Sequence, residues 1–176
     1  MNLPNKLSLT RMALIPVMVA LMLPGGLWWN LAAAAVYGVA AFTDFLDGHI
    51  ARKQGIVTDL GKFLDPVADK LLNLSAMIML IHQGLLPAWI VVLILARELC
   101  VDGLRMVASG KGIVIAAGWL GKVKTVSQIV LILWLTIFRL PVGGFWLSTL
   151  PAVWIAAITL WSGADYLWKN RRLLAE

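Results

Sequence analysis

The chain has 176 residues, of which 61% are apolar and only 14% charged, and its mean hydropathy is +0.87. A soluble domain carries about 25% charged residues, so this composition excludes one and describes an integral membrane protein with room for about six or seven helical spans. Fifteen Lys and Arg against nine Asp and Glu leave a charge of +6, which in such a chain bears on orientation and anionic lipid rather than on nucleic acid. One cysteine and two histidines exclude an intrachain disulfide and a standard structural zinc site.

Apolar runs broken by Gly, Pro and charge predict six helices, over residues 7–23, 28–52, 61–83, 86–109, 119–140 and 146–168. Lys6 and Arg11 precede an apolar run from Met12 to Leu23, the look of a secretory signal. Pro24-Gly25-Gly26 follows it instead of a clean small-x-small cleavage site, so the segment reads as a retained helix. The expected fold is all-α, a single membrane domain over residues 1–176 with six transmembrane helices. Lys6, Arg11, Arg52, Lys53, Arg105, Lys111, Lys169, Arg171 and Arg172 fall on one side of that layout and Arg139 alone on the other, which places both termini in the cytoplasm. Trp28, Trp29, Trp89, Trp119, Trp146 and Trp168 lie near predicted helix ends, as interfacial anchors do. Trp134, Trp154 and Trp161 lie deeper and are expected to pack inside the protein, as is Cys100.

Asp44 and Asp47 in the second helix and Asp65 and Asp69 in the third are out of place in hydrocarbon, where each ionised carboxylate costs about 2.5–3.5 kcal/mol at the bilayer centre on insertion scales. Spacings of three and four put each pair on one helix face, and both pairs lie within about two turns of the connection between the helices, near the cytoplasmic surface. The four carboxylates are expected to converge there. Four anions in one small volume need cations between them. Two divalent ions would balance them, and oxygen ligands select Mg²⁺, Mn²⁺ or Ca²⁺. A pair of such ions suits displacement at phosphorus. Gly48 and Ala51 continue the acidic face and permit close approach, Gly61 opens the third helix with free N–H groups, and Arg52 and Lys53 offer phosphate partners. The same residues also serve plain helix packing and topology.

The whole run, Asp44-x2-Asp47-Gly48-x2-Ala51-Arg52-x8-Gly61-x3-Asp65-x3-Asp69, resembles the signature of the CDP-alcohol phosphatidyltransferases at every fixed position and spacing. The six-span layout resembles that family as well. The resemblance implies transfer of a phosphatidyl group from CDP-diacylglycerol to the hydroxyl of a small alcohol, with release of CMP and with two bound divalent cations, Mg²⁺ or Mn²⁺. It implies Asp44, Asp47, Asp65 and Asp69 as metal ligands, with Asp69 also the general base, and Gly48, Ala51, Arg52 and Gly61 as the surface that admits the cytidine diphosphate. Pro4-Asn5, read as lying just before the first helix, resembles the family's amino-terminal motif, which puts Asn5 near the nucleotide. The resemblance further implies a homodimer in the cell membrane with its active site facing the cytoplasm.

Basic residues narrow the acceptor. Arg97 and Arg105 on the fourth helix and Lys122 and Lys124 at the start of the fifth suit a phosphorylated one, because buried cations need anionic partners. Ala96-Arg97-Glu98, Leu104-Arg105 and Trp119-Leu-Gly-Lys-Val-Lys-Thr125 together resemble the branch of the family that uses glycerol 3-phosphate. An inositol phosphate or serine is the alternative acceptor. Arg97 could instead pair with the acidic cluster, Arg105 with Asp102, and the two lysines could snorkel to the interface, while Glu98 is expected to orient a basic neighbour. Ser162, Gly163 and Tyr166 in the sixth helix are further residues that could pack against the site. A divalent-cation carrier would also explain intramembrane carboxylates. It would not explain the Gly-x2-Ala-Arg spacing, and it would distribute its charges across the bilayer, whereas Leu71–Ala96 and Val142–Ala164 contain none.

Overall fold

The computed structural model describes residues 3–54, 59–113, 115 and 118–171, with side chains outside the description at 3–6, 44–54 and 59–65. Six helices follow in order: α1 Leu3–Met22, α2 Leu27–Gln54, α3 Asp59–His82, α4 Ala88–Gly110, α5 Trp119–Phe138 and α6 Trp146–Lys169. No strand occurs among the described residues. The all-helical expectation therefore holds, with ends moved by a few residues. The largest shift is at the amino terminus, where Pro4 and Asn5 stand inside the first turn of α1 rather than before it. Proline is at home there, since the first helical N–H groups have no partner to lose. Likewise α3 opens at Asp59, so Gly61 lies within its first turn.

The helix ends show why the breaks fall where they do. Gly84 takes φ +69° after α3, and the next N–H, of Leu85, reaches back to the Leu80 carbonyl at 2.9 Å. Gly112 does the same after α4, with Ile113 N donating to the Ala108 carbonyl at 2.8 Å. Both are left-handed caps that satisfy last-turn carbonyls, a conformation in which a Cβ is unfavourable.

The chain divides into two compact units. The first comprises Met1–Leu86 with Ile132–Arg139. In it α1 packs on both α2 and α3, and α2 packs on α3. Its core includes Met18, Met22, Tyr37, Ala40, Ala68, Leu72 and Leu80, with Arg11 buried as well as basic. At the end of this unit away from the α2–α3 connection, Asn30 and Gln83 exchange amide hydrogen bonds of 2.9 and 3.0 Å, and Gln83 Nε2 donates to the Met22 carbonyl at 2.7 Å. That bond satisfies an end carbonyl of α1 and ties three helices together.

The second unit comprises Pro87–Leu131 with Leu140–Glu176. Here α4 packs on α6, and Val101, Leu104 and Tyr166 form an apolar cluster with Ile115 against it.

Two helices, α5 and α6, are long and apolar enough to cross a bilayer, and Leu7–Met22 and Leu27–Thr43 are shorter apolar stretches, among the described residues. The tryptophans at helix ends stand outward, Trp28, Trp119, Trp146 and Trp168 being exposed. Two expectations are corrected. Trp154 and Trp161, expected to pack inward, are 54% and 70% exposed on α6, because the inward face of that helix is occupied by small residues and by Ile155, Thr159, Ser162 and Tyr166. Cys100 is likewise exposed rather than core, one position before the buried Val101 and so rotated ~100° from it, at the margin of the packed face of α4. Trp134 is half-buried, with its indole nitrogen shielded and its ring centroid 4.2 Å from that of the exposed Phe138 one turn on.

Candidate active site

The backbone alone sets a register between α2 and α3. The two are packed neighbours joined by a short connection, hence antiparallel. Asp44 is ten residues before the end of α2 at Gln54, and Asp69 ten residues after the start of α3 at Asp59. At 1.5 Å per residue both lie ~15 Å along their helices from the connection, with Asp47 and Asp65 ~10 Å from it. The acids therefore fall on two matched levels. The side chains of Asp44, Asp47 and Asp65 lie outside the described residues, as do those of Asn5, Gly48, Ala51, Arg52 and Gly61. Among the described residues no three acidic, His or Cys side chains gather into a metal site.

Asp69 is described, and its carboxylate is held. Asn73, one helical turn on, donates from Nδ2 to Asp69 Oδ1 at 2.9 Å. Asn73 is itself engaged by α2: the Tyr37 hydroxyl donates to its Oδ1 at 2.6 Å in a buried bond. Tyr37 precedes Asp44 by seven residues, two turns, which returns it to within ~20° of the same helix face. The faces of α2 and α3 that carry the acids are thus the faces already in hydrogen-bonded contact further from the connection, two turns beyond Asp44 on α2 and one turn beyond Asp69 on α3. Sequence reasoning missed both residues. The signals were there: Asn73 extends the Asp65–Asp69 spacing by a further step of four in an apolar run, and Tyr37 is one of only two tyrosines.

The oxygen-only donor set suits hard divalent cations. Four aspartates stand on two adjacent antiparallel helices, with neither sulfur nor imidazole at the fixed positions of the run.

In the second unit Arg97, Arg105 and Lys124 are each set in place by packing. Arg97 of α4 lies along α5 and α6 where these have no side chain: a Cβ added to Gly121 would come to 3.6 Å from its Nη2, and one added to Gly163 to 3.1 Å from its Cγ. Its buried Nε has no hydrogen-bond partner among the described residues. Arg105, two turns on, donates from Nε to the Tyr166 hydroxyl at 3.1 Å, with its guanidinium carbon 5.5 Å from the centre of that ring. Lys124 is 1% exposed and forms a charge-assisted hydrogen bond with Glu98, so Glu98 does orient a basic neighbour. Lys122 is exposed. Gly163 and Tyr166, two of the three α6 residues expected from sequence to pack against the site, are the ones beside the two arginines.

The family model for CDP-alcohol phosphatidyltransferase matches residues 1–162. The chain belongs to that family. Among curated members of the CDP-alcohol phosphatidyltransferases, it is 44% identical over 186 aligned residues, covering 96% of this chain and 95% of the relative, to CDP-diacylglycerol--glycerol-3-phosphate 3-phosphatidyltransferase of Bacillus subtilis. An Escherichia coli K12 relative of the same name is 37% identical over 94% of this chain and 93% of its own length. A probable phosphatidylglycerophosphate synthase of Mycobacterium tuberculosis is 42% identical, over 94% of this chain and 80% of the relative.

Proposed function

We propose that this protein transfers the phosphatidyl group of CDP-diacylglycerol to sn-glycerol 3-phosphate, giving phosphatidylglycerophosphate and CMP. The observation that carries this reading is the names of relatives 37–44% identical over nearly the whole chain, joined to an unbroken Asp44-to-Asp69 run. The family match over residues 1–162 supports one functional domain spanning 1–176. Apolar side chains exposed midway along helices, among them Phe42, Val92, Leu99, Val126 and Leu160, support contact with lipid by α2, α4, α5 and α6. Six spans, with both termini and the active site facing the cytoplasm of a cell membrane, follow from these and from the placement of positive charge. The protein acts as a homodimer.

Asp44, Asp47, Asp65 and Asp69 hold two divalent cations, Mg²⁺ or Mn²⁺. When bound, these supply charge neutralisation for the diphosphate and for the leaving CMP. Asn5, Gly48, Ala51, Arg52 and Gly61 bind the cytidine diphosphate, Gly48 and Ala51 by admitting it close to the backbone of α2. Such a substrate needs a site at headgroup depth, with its nucleotide in water and its acyl chains in lipid, and the two acid levels near the α2–α3 connection suit that depth. Asp69 accepts the proton of the acceptor hydroxyl. That oxygen bonds to the phosphorus carrying diacylglycerol as the bond from phosphorus to the CMP oxygen breaks. Arg97, Arg105, Lys122 and Lys124 bind the acceptor's phosphate, Lys124 being held in place by Glu98. An arginine pairs with phosphate through two parallel N–H bonds, and Arg105, with Nε committed to Tyr166, still offers its terminal nitrogens.

The test is CMP release by the purified protein from CDP-diacylglycerol with Mn²⁺ or Mg²⁺ and a panel of acceptors. Release that requires glycerol 3-phosphate, and is not supported by serine or an inositol phosphate, is expected; turnover with another acceptor and none with glycerol 3-phosphate overturns the reading. In the same assay Asp69→Asn should abolish transfer while equilibrium binding of CDP-diacylglycerol persists. Retained turnover would remove Asp69 as the base.

A further inference from the structure

We infer that Asn73 and Tyr37 are positioning residues for Asp69, forming a one-way hydrogen-bond relay from α2 that fixes the orientation of the carboxylate proposed as the base. The inference rests on that proposed role of Asp69.

The relay has a single internally consistent polarity. A carboxylate only accepts hydrogen bonds, so Asn73 must present its NH₂ group to Asp69, as it does with Nδ2 at 2.9 Å from Oδ1. The amide oxygen then points the other way and can only accept. Tyr37 must therefore donate its hydroxyl proton, and it sits at 2.6 Å to do so. Reversing the amide would set its oxygen against the carboxylate, acceptor against acceptor, and the end at Asp69 therefore decides the orientation. Each partner thus dictates the orientation of the next.

Burial makes the relay stiff. Tyr37 is 2% exposed and Asn73 6% exposed, so water does not compete for the buried bond between them, while the bond to the half-buried Asp69 stands at the edge of that packing; a satisfied polar network in such surroundings specifies one arrangement. Ala40, Ala68, Leu72, Ala76 and Met77 are buried around the same levels of α2 and α3, so the relay is set in apolar packing. A lone aspartate turns about two side-chain torsions, whereas one held by a side chain on its own helix, itself held by the facing helix, follows the α2–α3 register. That register is also what sets Asp44 opposite Asp69. The relay therefore ties the direction of proton acceptance to the alignment of the whole acidic run, as partners outside the reacting groups do in metal and acid–base sites.

Asn73→Leu removes both bonds at nearly constant volume, and Tyr37→Phe removes only the hydroxyl. With CDP-diacylglycerol and glycerol 3-phosphate, Asn73→Leu should lower kcat on the order of 10–100-fold, the range found when a supporting partner of such a site is lost, and Tyr37→Phe should lower it less. The KM values for both substrates and direct equilibrium binding of CDP-diacylglycerol should stay close to those of the unsubstituted protein, while the melting temperature in detergent should fall modestly for Asn73→Leu, which leaves the buried Tyr37 hydroxyl unpaired. In the double variant, Tyr37→Phe should have no further effect, because its action passes through Asn73. Independent packing defects would instead multiply. Unchanged kcat in a folded Tyr37→Phe and Asn73→Leu pair, multiplicative losses in the double variant, or losses that appear in binding and melting temperature rather than in kcat would each overturn the relay. If Asp69→Asn abolishes turnover while these variants do not alter kcat, the relay fails and the base stands; if Asp69→Asn retains turnover, the base itself fails.

Discussion

Arg105, proposed to bind the acceptor's phosphate, has its guanidinium set in place by its neighbours. A free arginine must give up rotamer freedom to clamp a phosphate, but here the Nε hydrogen bond to Tyr166 and the face of that ring already fix the plane of the guanidinium. Arg105→Ala should therefore raise KM for glycerol 3-phosphate at least tenfold and leave KM for CDP-diacylglycerol within about twofold, on the scale of one lost charge-assisted contact. Equal effects on both substrates would count against an acceptor pocket. Arg97 is controlled by absence instead. A methyl group at Gly163 would stand 3.1 Å from its Cγ, closer than an easy van der Waals contact, so Gly163→Ala should displace Arg97 and raise the acceptor KM several-fold with little change in the lipid KM. An unchanged acceptor KM would show that Arg97 has room to move. These residues were only partly legible beforehand. Cationic type and spacing pointed to Arg97, Arg105 and Lys124, but which residue of α6 faced which arginine depends on how α4 packs against α6, and no local pattern encodes that. Tyr37 and Asn73 were missed for a related reason, since a hydrogen bond across 36 residues of chain is a product of helix register.

Elements were read more securely than their contacts. Six runs of apolar residues gave six helices because length and composition suffice to call for a span, and the Gly and Pro breaks marked ends that need special backbone angles. Pro4-Asn5 failed as a boundary because proline is as acceptable in the first helical turn as before it. The caps offer a test with opposite signs. Gly84 holds φ +69°, so Gly84→Ala should destabilise by about 1–2 kcal/mol through the left-handed conformation alone. Gly38 lies inside α2 with nothing within 4 Å of an added Cβ, so Gly38→Ala should stabilise by about 0.5–1 kcal/mol. Melting temperatures in detergent should move down for the first and up for the second; a shift in the same direction for both would refute the argument from backbone conformation.

At the level of the whole molecule, the proposed topology and metal dependence are separately testable. A fluorescent-protein fusion at the carboxyl terminus should be bright, and a periplasmic-type phosphatase fused within residues 139–145 should be active, since positive charge favours the opposite side for that segment. The reverse pattern would invert the orientation. Removing divalent ions with a chelator should stop CMP release, and adding Mn²⁺ or Mg²⁺ should restore it; activity indifferent to chelation would exclude the ligand roles of the four aspartates. The exposed Trp154 and Trp161 correct the expectation that deep aromatics turn inward. In a lipid solvent an outward indole is no liability, and the small and polar residues of α6 are the ones that pack.

The Glu98–Lys124 pair has a bearing on how the protein is made. Helices leave the insertion machinery in order of synthesis, and α4 carries its glutamate well before α5 brings the matching ammonium. In the proposed six-span topology an unneutralised Glu98 would be poorly tolerated by acyl chains, so α4 would linger at the lateral exit until Lys124 emerges. The two would then enter together as a hairpin whose charges cancel, the pairing seen in the folded chain.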